Sequence, residues 1–75
     1  MYVVGISVEK RKEAIPEVQN VLTRFGDKIT TRLGIHDDTN ESKGIIITTY
    51  KADDIGDFIE KLNSIDAVEA SFMKI

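Results

Sequence analysis

The chain has 75 residues, enough for one domain and too few for a second hydrophobic core. It contains no cysteine, which excludes disulfides, thiolate metal sites and cysteine nucleophiles. Its 13 acidic residues outnumber its 10 basic ones, so we do not expect this chain alone to bind nucleic acid. No apolar run reaches the ~18 residues of a membrane span, and the N-terminus lacks a signal-peptide pattern, so we expect a cytoplasmic protein with no membrane partner.

The N-terminal third predicts a strand followed by a helix. Residues 2–8 alternate between a larger and a smaller apolar face, as strands do. The helix is expected to begin near residues 13–15, because Pro16 is tolerated only close to a helix start, and to end near Phe25. Gly26 is expected to cap it in the left-handed conformation. The apolar face of this helix comprises Ile15, Val18, Val21, Leu22 and Phe25.

A β-hairpin is predicted in the middle of the chain. Residues 29–35 alternate, with Ile29, Thr31, Leu33 and Ile35 expected on one face. Residues 44–50 begin with three isoleucines, which is typical of a central strand, but the sequence does not decide which isoleucine faces which side. The polar residues 36–43 between these runs predict the turn.

The C-terminal third predicts a second helix and a fourth strand. Asp53 is a good N-cap candidate, and the helix closes at Asn63 and Ser64. Its apolar face comprises Ile55, Phe58, Ile59 and Leu62. Residues 68–75 form the last predicted strand, whose inner face comprises Val68, Ala70 and Phe72.

This order of elements predicts a ferredoxin-like βαββαβ sandwich, an α+β fold, spanning residues 1–75 as one domain. The first and third strands are central, the second and fourth are edges, and both helices cover one face of an antiparallel sheet. The covered face is predicted to carry Tyr2, Val4, Ile6, Leu33 and Phe72. The open face is predicted to carry Val3, Gly5, Ser7, Thr30, Arg32, Gly34, Ser71, Met73 and an isoleucine of the third strand.

The open face predicts a homo-oligomer, a dimer or tetramer, because so small a domain gains stability by covering it. The predicted interface comprises Val3, Gly5, Arg32, Gly34 and Met73. Neither edge strand contains proline, so both edges could also accept another strand. The alternative is an ordinary solvated sheet surface.

The sequence predicts no enzyme and no cofactor, since one histidine and five isolated glycines supply neither a catalytic cluster nor a phosphate loop. His36 is a weak metal candidate beside Asp37, Asp38, Asn40 and Glu41; a turn bonded to its own backbone is the simpler interpretation, so we predict no metal site. The basic run Lys10, Arg11 and Lys12 could bind a small anionic effector near the helix N-terminus. Alternatively, it is a solvated connection balanced by Glu9 and Glu13.

Four stretches resemble the ACT-like small domains of the iron-only hydrogenase system regulator family, which are related to the C-terminal domain of nickel-responsive repressors. They are residues 7–9, residues 10–14, residues 32–35 and the isoleucine-rich third strand. The resemblance implies an ACT-like ferredoxin fold, assembly into dimers or tetramers and a regulatory role. Nickel repressors use several histidines and a cysteine near this hairpin; only His36 matches, so nickel sensing is not expected. Residues 9–13 lack the glycine of amino-acid-binding ACT domains, which leaves the effector class open.

Subtilisin-type propeptides offer an alternative function of another class. They share this fold and size and often open with a strand similar to residues 2–5 of this chain. Such propeptides inhibit and chaperone a protease by presenting a C-terminal tail. The last predicted strand here reaches Ile75, so we expect no such tail.

Overall fold

A four-stranded antiparallel sheet organises the computed structural model, which describes residues 1–36, 39 and 42–75. The elements are β1 (Tyr2–Val8), α1 (Arg11–Arg24), a 3₁₀ turn (Gly26–Lys28), β2 (Ile29–His36), β3 (Gly44–Tyr50), α2 (Ile55–Asn63) and β4 (Val68–Lys74). The strand order is β2-β3-β1-β4, with antiparallel pairing throughout. The predicted ferredoxin-like fold, with its two central and two edge strands, is confirmed.

Helix α1 begins at Arg11, so the predicted start at residues 13–15 is wrong. Its first turn is closed by the carbonyl of Lys10, which accepts hydrogen bonds from the amides of Glu13 (3.1 Å) and Ala14 (2.8 Å). Pro16 lies in the second turn and has no N–H to donate to the carbonyl of Lys12. Pro16 is exposed and borders an open cleft.

The predicted left-handed cap at Gly26 is also wrong, since Gly26 has no positive φ. The chain instead leaves α1 through the 3₁₀ turn, in which the amide of Lys28 donates to the carbonyl of Phe25 (3.0 Å). This tighter turn continues the helical sense and delivers the chain directly into β2.

The core lies between the two helices and one face of the sheet. Fully buried side chains come from alternate positions of β1 and β3 and from the inner faces of both helices, as the apolar periods predict. The largest are Val4, Ile6, Val8, Val18, Leu22, Thr48, Tyr50, Phe58 and Leu62. An aromatic cluster occupies one end of the core, where the ring of Phe58 stacks on Tyr50 (centroids 4.5 Å apart, 10° between planes) and contacts Phe25 at 5.2 Å.

The structure resolves the orientation of β3. Ile46 pairs with the buried Ile6 and lies on the helix side with Thr48 and Tyr50. Ile45 and Ile47 therefore lie on the open side, because successive strand residues point to opposite faces. Two isoleucines join the open face, where the sequence led us to expect one.

Strand β2 departs from its predicted orientation because of a β-bulge between Ile29 and Thr31. Ile29 pairs with Tyr50 and Thr31 pairs with Thr49, so two residues of β2 span one step of β3. The bulge reverses the alternation. Leu33 consequently pairs with Ile47 on the open face and is 52% exposed.

The predicted placement of Leu33 on the covered face, and of Arg32 and Gly34 on the open face, is therefore wrong. Arg32 and Gly34 lie on the helix side, and Arg32 Nη2 donates a hydrogen bond to Gln19 Oε1 of α1 (2.8 Å). The open face gains Leu33 and Ile35 in their place and is more apolar than the sequence suggested.

The edge strand β4 is partly closed to further pairing, which corrects the expectation that both edges could accept another strand along their length. The side chain of Asn63 donates to the carbonyl of Ala70 (3.1 Å) and accepts from its amide (2.7 Å). The amide of Val68 donates to the carbonyl of Ile65 (3.2 Å). These bonds occupy outward-facing backbone groups in the first half of β4, so another strand could not pair there without breaking them.

Thr48→Val is expected to raise the free energy of unfolding by about 1 kcal/mol, since a buried hydroxyl without a partner costs stability that an isosteric methyl does not. Thr48 is fully buried, and its hydroxyl has no hydrogen-bond partner among the described residues. Chemical denaturation measures the change.

Thr49→Val is the matched control, because the hydroxyl of Thr49 is hydrogen-bonded to that of Thr30 (2.6 Å) and should confer no such gain when removed. Equal or lower stability of Thr48→Val would contradict the prediction.

Candidate functional site

A cleft of about 450 Å³ opens between α1 and the strands β2 and β3. Its helix wall comprises Arg11, Lys12, Ile15, Pro16 and Gln19, and its strand wall comprises Gly34, Ile35, His36, Gly44, Ile45 and Ile46. It lies on the helix side of the sheet, at the edge where β2 extends beyond the core. The cleft combines apolar walls with a basic end.

Two glycines form the floor of this cleft. Gly34 and Gly44 occupy helix-side positions of adjacent strands, opposite Ile46 and His36. A Cβ on Gly34 would meet nothing within 4 Å, so the space above it is open. A Cβ on Gly44 would lie 3.2 Å from Cδ of Arg11, so the aliphatic part of Arg11 rests on that glycine. The open space of the cleft lies above Gly34, and the missing side chain of Gly44 makes room for that of Arg11.

The three basic residues predicted to bind an anion separate in the structure. All three border a second cavity of about 520 Å³ at the start of α1, together with Glu9, Glu13 and Ser42. Only Arg11 and Lys12 also line the cleft. Lys10 lies 3.6 Å from the carboxylate of Asp66, an exposed ion pair worth little to stability.

His36 lies at the basic end of the cleft, where Arg11 Nη1 donates a hydrogen bond to its Nδ1. A guanidinium is always a donor, so Nδ1 of His36 is the acceptor of this bond. Among residues 1–36, 39 and 42–75, no group of three or more histidine or acidic side chains is placed to hold a metal ion. The other candidate ligands, Asp37, Asp38, Asn40 and Glu41, lie outside the described residues.

The second candidate surface is the open face of the sheet. Register pairing places six sizeable apolar side chains on it: Val3, Leu33, Ile35, Ile45, Ile47 and Met73. Met73 is 61% exposed and Ile35 is 40% exposed. Gly5 lies at the centre between Ile47 and Ser71, where a Cβ would meet nothing within 4 Å. Of the predicted interface residues, Val3, Gly5 and Met73 share this face, whereas Arg32 and Gly34 do not.

A third polar cluster is structural and ties three elements together. Asp54 accepts hydrogen bonds from Lys28 Nζ (2.6 Å) and from the hydroxyl of Tyr50 (2.8 Å). Asp54 also occupies the N-cap position of α2, which the sequence assigned to Asp53, but its side chain makes no cap bond. The carboxylate therefore joins the start of β2, the end of β3 and the start of α2.

This cluster shifts the pKa values of its three members. The hydrogen bond from Lys28, and then that from Tyr50, lowers the pKa of Asp54. The bond to Asp54 raises the pKa of Lys28. Burial, followed by the bond to Asp54, raises the pKa of Tyr50.

Asp54→Asn is expected to lower the midpoint of thermal unfolding at neutral pH and to flatten the pH dependence of stability. A lowered carboxyl pKa stabilises the fold above the unfolded-state value of about 3.9, and this contribution is lost as the pH falls through the folded-state pKa. Raised pKa values of Lys28 and Tyr50 stabilise below about pH 10, and that contribution is lost at higher pH. Unfolding measured at a series of pH values gives the change of stability with pH in both the acidic and the alkaline range.

Asp53→Asn is the neighbouring control, because the bonds to Lys28 and Tyr50 come from Asp54. Equal effects of the two substitutions would show that the cluster contributes nothing specific.

The sequence indicated the basic residues of the cleft but not the cleft itself. The signal that could have revealed it is the pair of glycines at 34 and 44, and the bulge conceals it by changing the face on which Gly34 lies. Ile15, which was predicted on the apolar face of the first helix, is partly buried against the core and also forms part of the cleft wall.

The fold and these two surfaces define a small ferredoxin-like α+β domain with one helix-covered face and one open apolar face. The chain belongs to the TM1266-like family, whose description is "Iron-only hydrogenase system regulator, putative" and whose model matches residues 1–71. This family is the one that the sequence resembles, so the predicted membership is confirmed.

Two solved structures resemble the chain over nearly its whole length. The uncharacterized protein TM1266 from Thermotoga maritima has a TM-score of 0.83 and 30% identity, over 96% of this chain and 91% of that one. A "putative antibiotic biosynthesis monooxygenase" from Deinococcus radiodurans has a TM-score of 0.54 and 9% identity, over 100% and 92%, and shows the fold alone. A sequence comparison with curated proteins finds no match. No helix among the described residues is long and apolar enough to cross a membrane.

Proposed function

We propose that this chain is a non-enzymatic, cytoplasmic regulatory module of an iron-only hydrogenase system. It works as a symmetric homo-oligomer assembled on the open face of its sheet and responds to a small-molecule effector. Family membership supports the regulatory role. The main observation in support of the proposal is the apolar open face, because a regulator without catalytic groups acts through the surfaces that it presents.

The size of this face suits a second copy of the chain. Four strands of about seven residues cover roughly 440 Å² in projection, at about 4.8 Å between strands and 3.3 Å per residue. The accessible surface of the side chains exceeds this projection and approaches the ~600 Å² per partner of small specific interfaces. At about 25 cal/mol per Å², burying 500 Å² of apolar surface contributes on the order of 12 kcal/mol before the costs of association.

The arrangement of the apolar groups also suits a two-fold pair. Leu33 and Ile35 lie at the β2 edge, and Met73 lies on the β4 edge strand, with Gly5 between them. In an isologous contact, the same patch is used by both copies, so small central residues let the two sheets approach while apolar side chains on either side interdigitate. Ser7, Ser71 and Thr31 add polar groups that hydrogen bonds can satisfy.

Light scattering on the purified chain at micromolar concentration tests the assembly. We expect the mass of a dimer or tetramer. A monomer at every accessible concentration would refute association through the open face.

Hydrogenase activity in a host with an iron-only hydrogenase system, with and without this chain, tests the regulatory role. We expect active enzyme per amount of hydrogenase protein to change when the chain is removed, and the native chain to restore it. Identical activity in both hosts would contradict a role in that system.

A further inference from the structure

The cleft between α1 and β2 has the chemistry of a site for an anion with an apolar body. Arg11 and Lys12 lie at one end, and Ile15, Pro16 and Ile46 line the walls. No carboxylate among the described residues lines the cleft. Its volume, about 450 Å³, is near the lower end of the range for small-molecule sites. A ligand here would place a charged group beside the side chains of Arg11 and Lys12 and a short apolar group over Gly34.

The state of the helix N-terminus distinguishes between classes of anion. Phosphate-binding helices present free backbone amides to the ligand. In α1, the amide of Arg11 already donates to the carbonyl of Ser42 (2.9 Å), and the amides of Glu13 and Ala14 donate to the carbonyl of Lys10. Three of the first four amides of α1 are therefore already engaged, which leaves charge recognition in this cleft mainly to side chains.

A carboxylate fits the donors that remain. The guanidinium of Arg11 donates to Nδ1 of His36, and a carboxylate could replace this neutral acceptor or share the guanidinium with it through a stronger, charge-assisted bond. A guanidinium also matches the planar carboxylate with two parallel donors. The apolar walls then favour a carboxylate with a hydrocarbon body over inorganic anions.

We infer that this cleft binds a small aliphatic carboxylate, with its charged group held by Arg11 and Lys12 and its apolar body over Gly34 against Ile15 and Pro16. This inference gives the effector of the proposed function a site and a chemical class, and it rests on that proposal only for its biological purpose. Binding itself is a property of the purified chain.

Titration with isovalerate, followed by ¹H–¹⁵N NMR, tests the inference. We expect the amide signals of Gly34 and Gly44 to shift saturably with isovalerate. Isovaleramide has nearly the same shape without the charge and should bind at least about tenfold more weakly. Inorganic phosphate serves as the test for a simple anion site.

Substitutions of adjacent basic residues provide a matched comparison. Arg11→Gln and Lys12→Gln should each weaken isovalerate binding about tenfold or more. Lys10→Gln should leave it within about twofold, because Lys10 does not line the cleft and lies beside Asp66.

Substitutions of two glycines test the floor of the cleft. Gly34→Val should abolish binding by filling the open space above Gly34. Gly56→Val makes the same change at an exposed position of α2, away from the cleft and the open face and without a close contact to its new Cβ, and should retain binding. Dispersed NMR spectra of both variants establish that they fold.

Three results would overturn the inference: equal binding of isovalerate and isovaleramide, competition by phosphate at equal concentration, or equal loss on Lys10→Gln and Arg11→Gln. The proposed function is tested by separate measurements, namely the oligomer mass and the hydrogenase activity. Isovalerate binding with no effect of the chain on hydrogenase activity would refute the regulatory role and leave the site in place. An effect of the chain on hydrogenase activity without isovalerate binding would support the regulatory role and refute this site.

Discussion

The double variant Leu33→Lys, Met73→Lys is expected to be a monomer at micromolar concentrations where the native chain is a dimer or tetramer. Both side chains lie on the open face and are 52% and 61% exposed in the single chain, so the substitutions disturb little within it. Across a two-fold contact each lysine appears twice, which removes apolar burial and brings like charges together. We expect the dissociation constant of the oligomer to rise by at least about 100-fold, which corresponds to a loss of close to 3 kcal/mol in the free energy of association.

Phe72→Lys is the control for this variant. Phe72 is 46% exposed and adjacent to Met73, but it lies on the helix side, where its ring contacts Tyr2 edge to face at 5.6 Å. It should leave the oligomer mass unchanged in sedimentation velocity. If the double variant keeps the native mass, or if Phe72→Lys dissociates equally, association does not use the open face.

Phe58→Ala is expected to bring the chain close to global unfolding. Phe58 is fully buried and packs between Tyr50 and Phe25, so its removal leaves a cavity and should cost about 3–5 kcal/mol. A domain of 75 residues has a total stability of only about 4–11 kcal/mol. We expect the midpoint of thermal unfolding to fall by about 15 °C or more.

Ile59→Ala is the comparison for Phe58→Ala, since Ile59 is the next residue of α2 and only half-buried. Its cost should be about 1 kcal/mol. Equal midpoints for the two variants would contradict the central place of the aromatic cluster in the core. Thermal unfolding followed by circular dichroism makes the comparison.

Hydrophobic periodicity was sufficient to predict the fold. The period of two in residues 2–8 and the helical spacing of Phe58 and Leu62 identify elements whose order allows one common right-handed solution. These signals are reliable because burying one face of each element is the main source of stability in a small domain. Element ends were predicted less well, as Pro16 and Gly26 show, because one lost hydrogen bond or a 3₁₀ turn costs little.

The candidate surfaces were harder to predict because they depend on the face on which each β2 residue lies. A strand pattern fixes that face only while the alternation is unbroken, and one extra residue at Thr30 reverses it. Nothing in the run of threonines distinguishes a bulge from regular pairing. The reversal moves Gly34 into the cleft and Leu33 onto the open face, so both surfaces depend on this irregularity.

Asn63 limits how far sheets of this protein can extend. Two chains that paired along β2 would form one continuous sheet with β4 as the outer strand at both ends. There the amide group of Asn63 already bonds both backbone groups of Ala70, in the way that an incoming strand would. In the first half of β4, edge-to-edge growth beyond two chains would therefore have to break the bonds of Asn63, so one side chain disfavours further strand addition there.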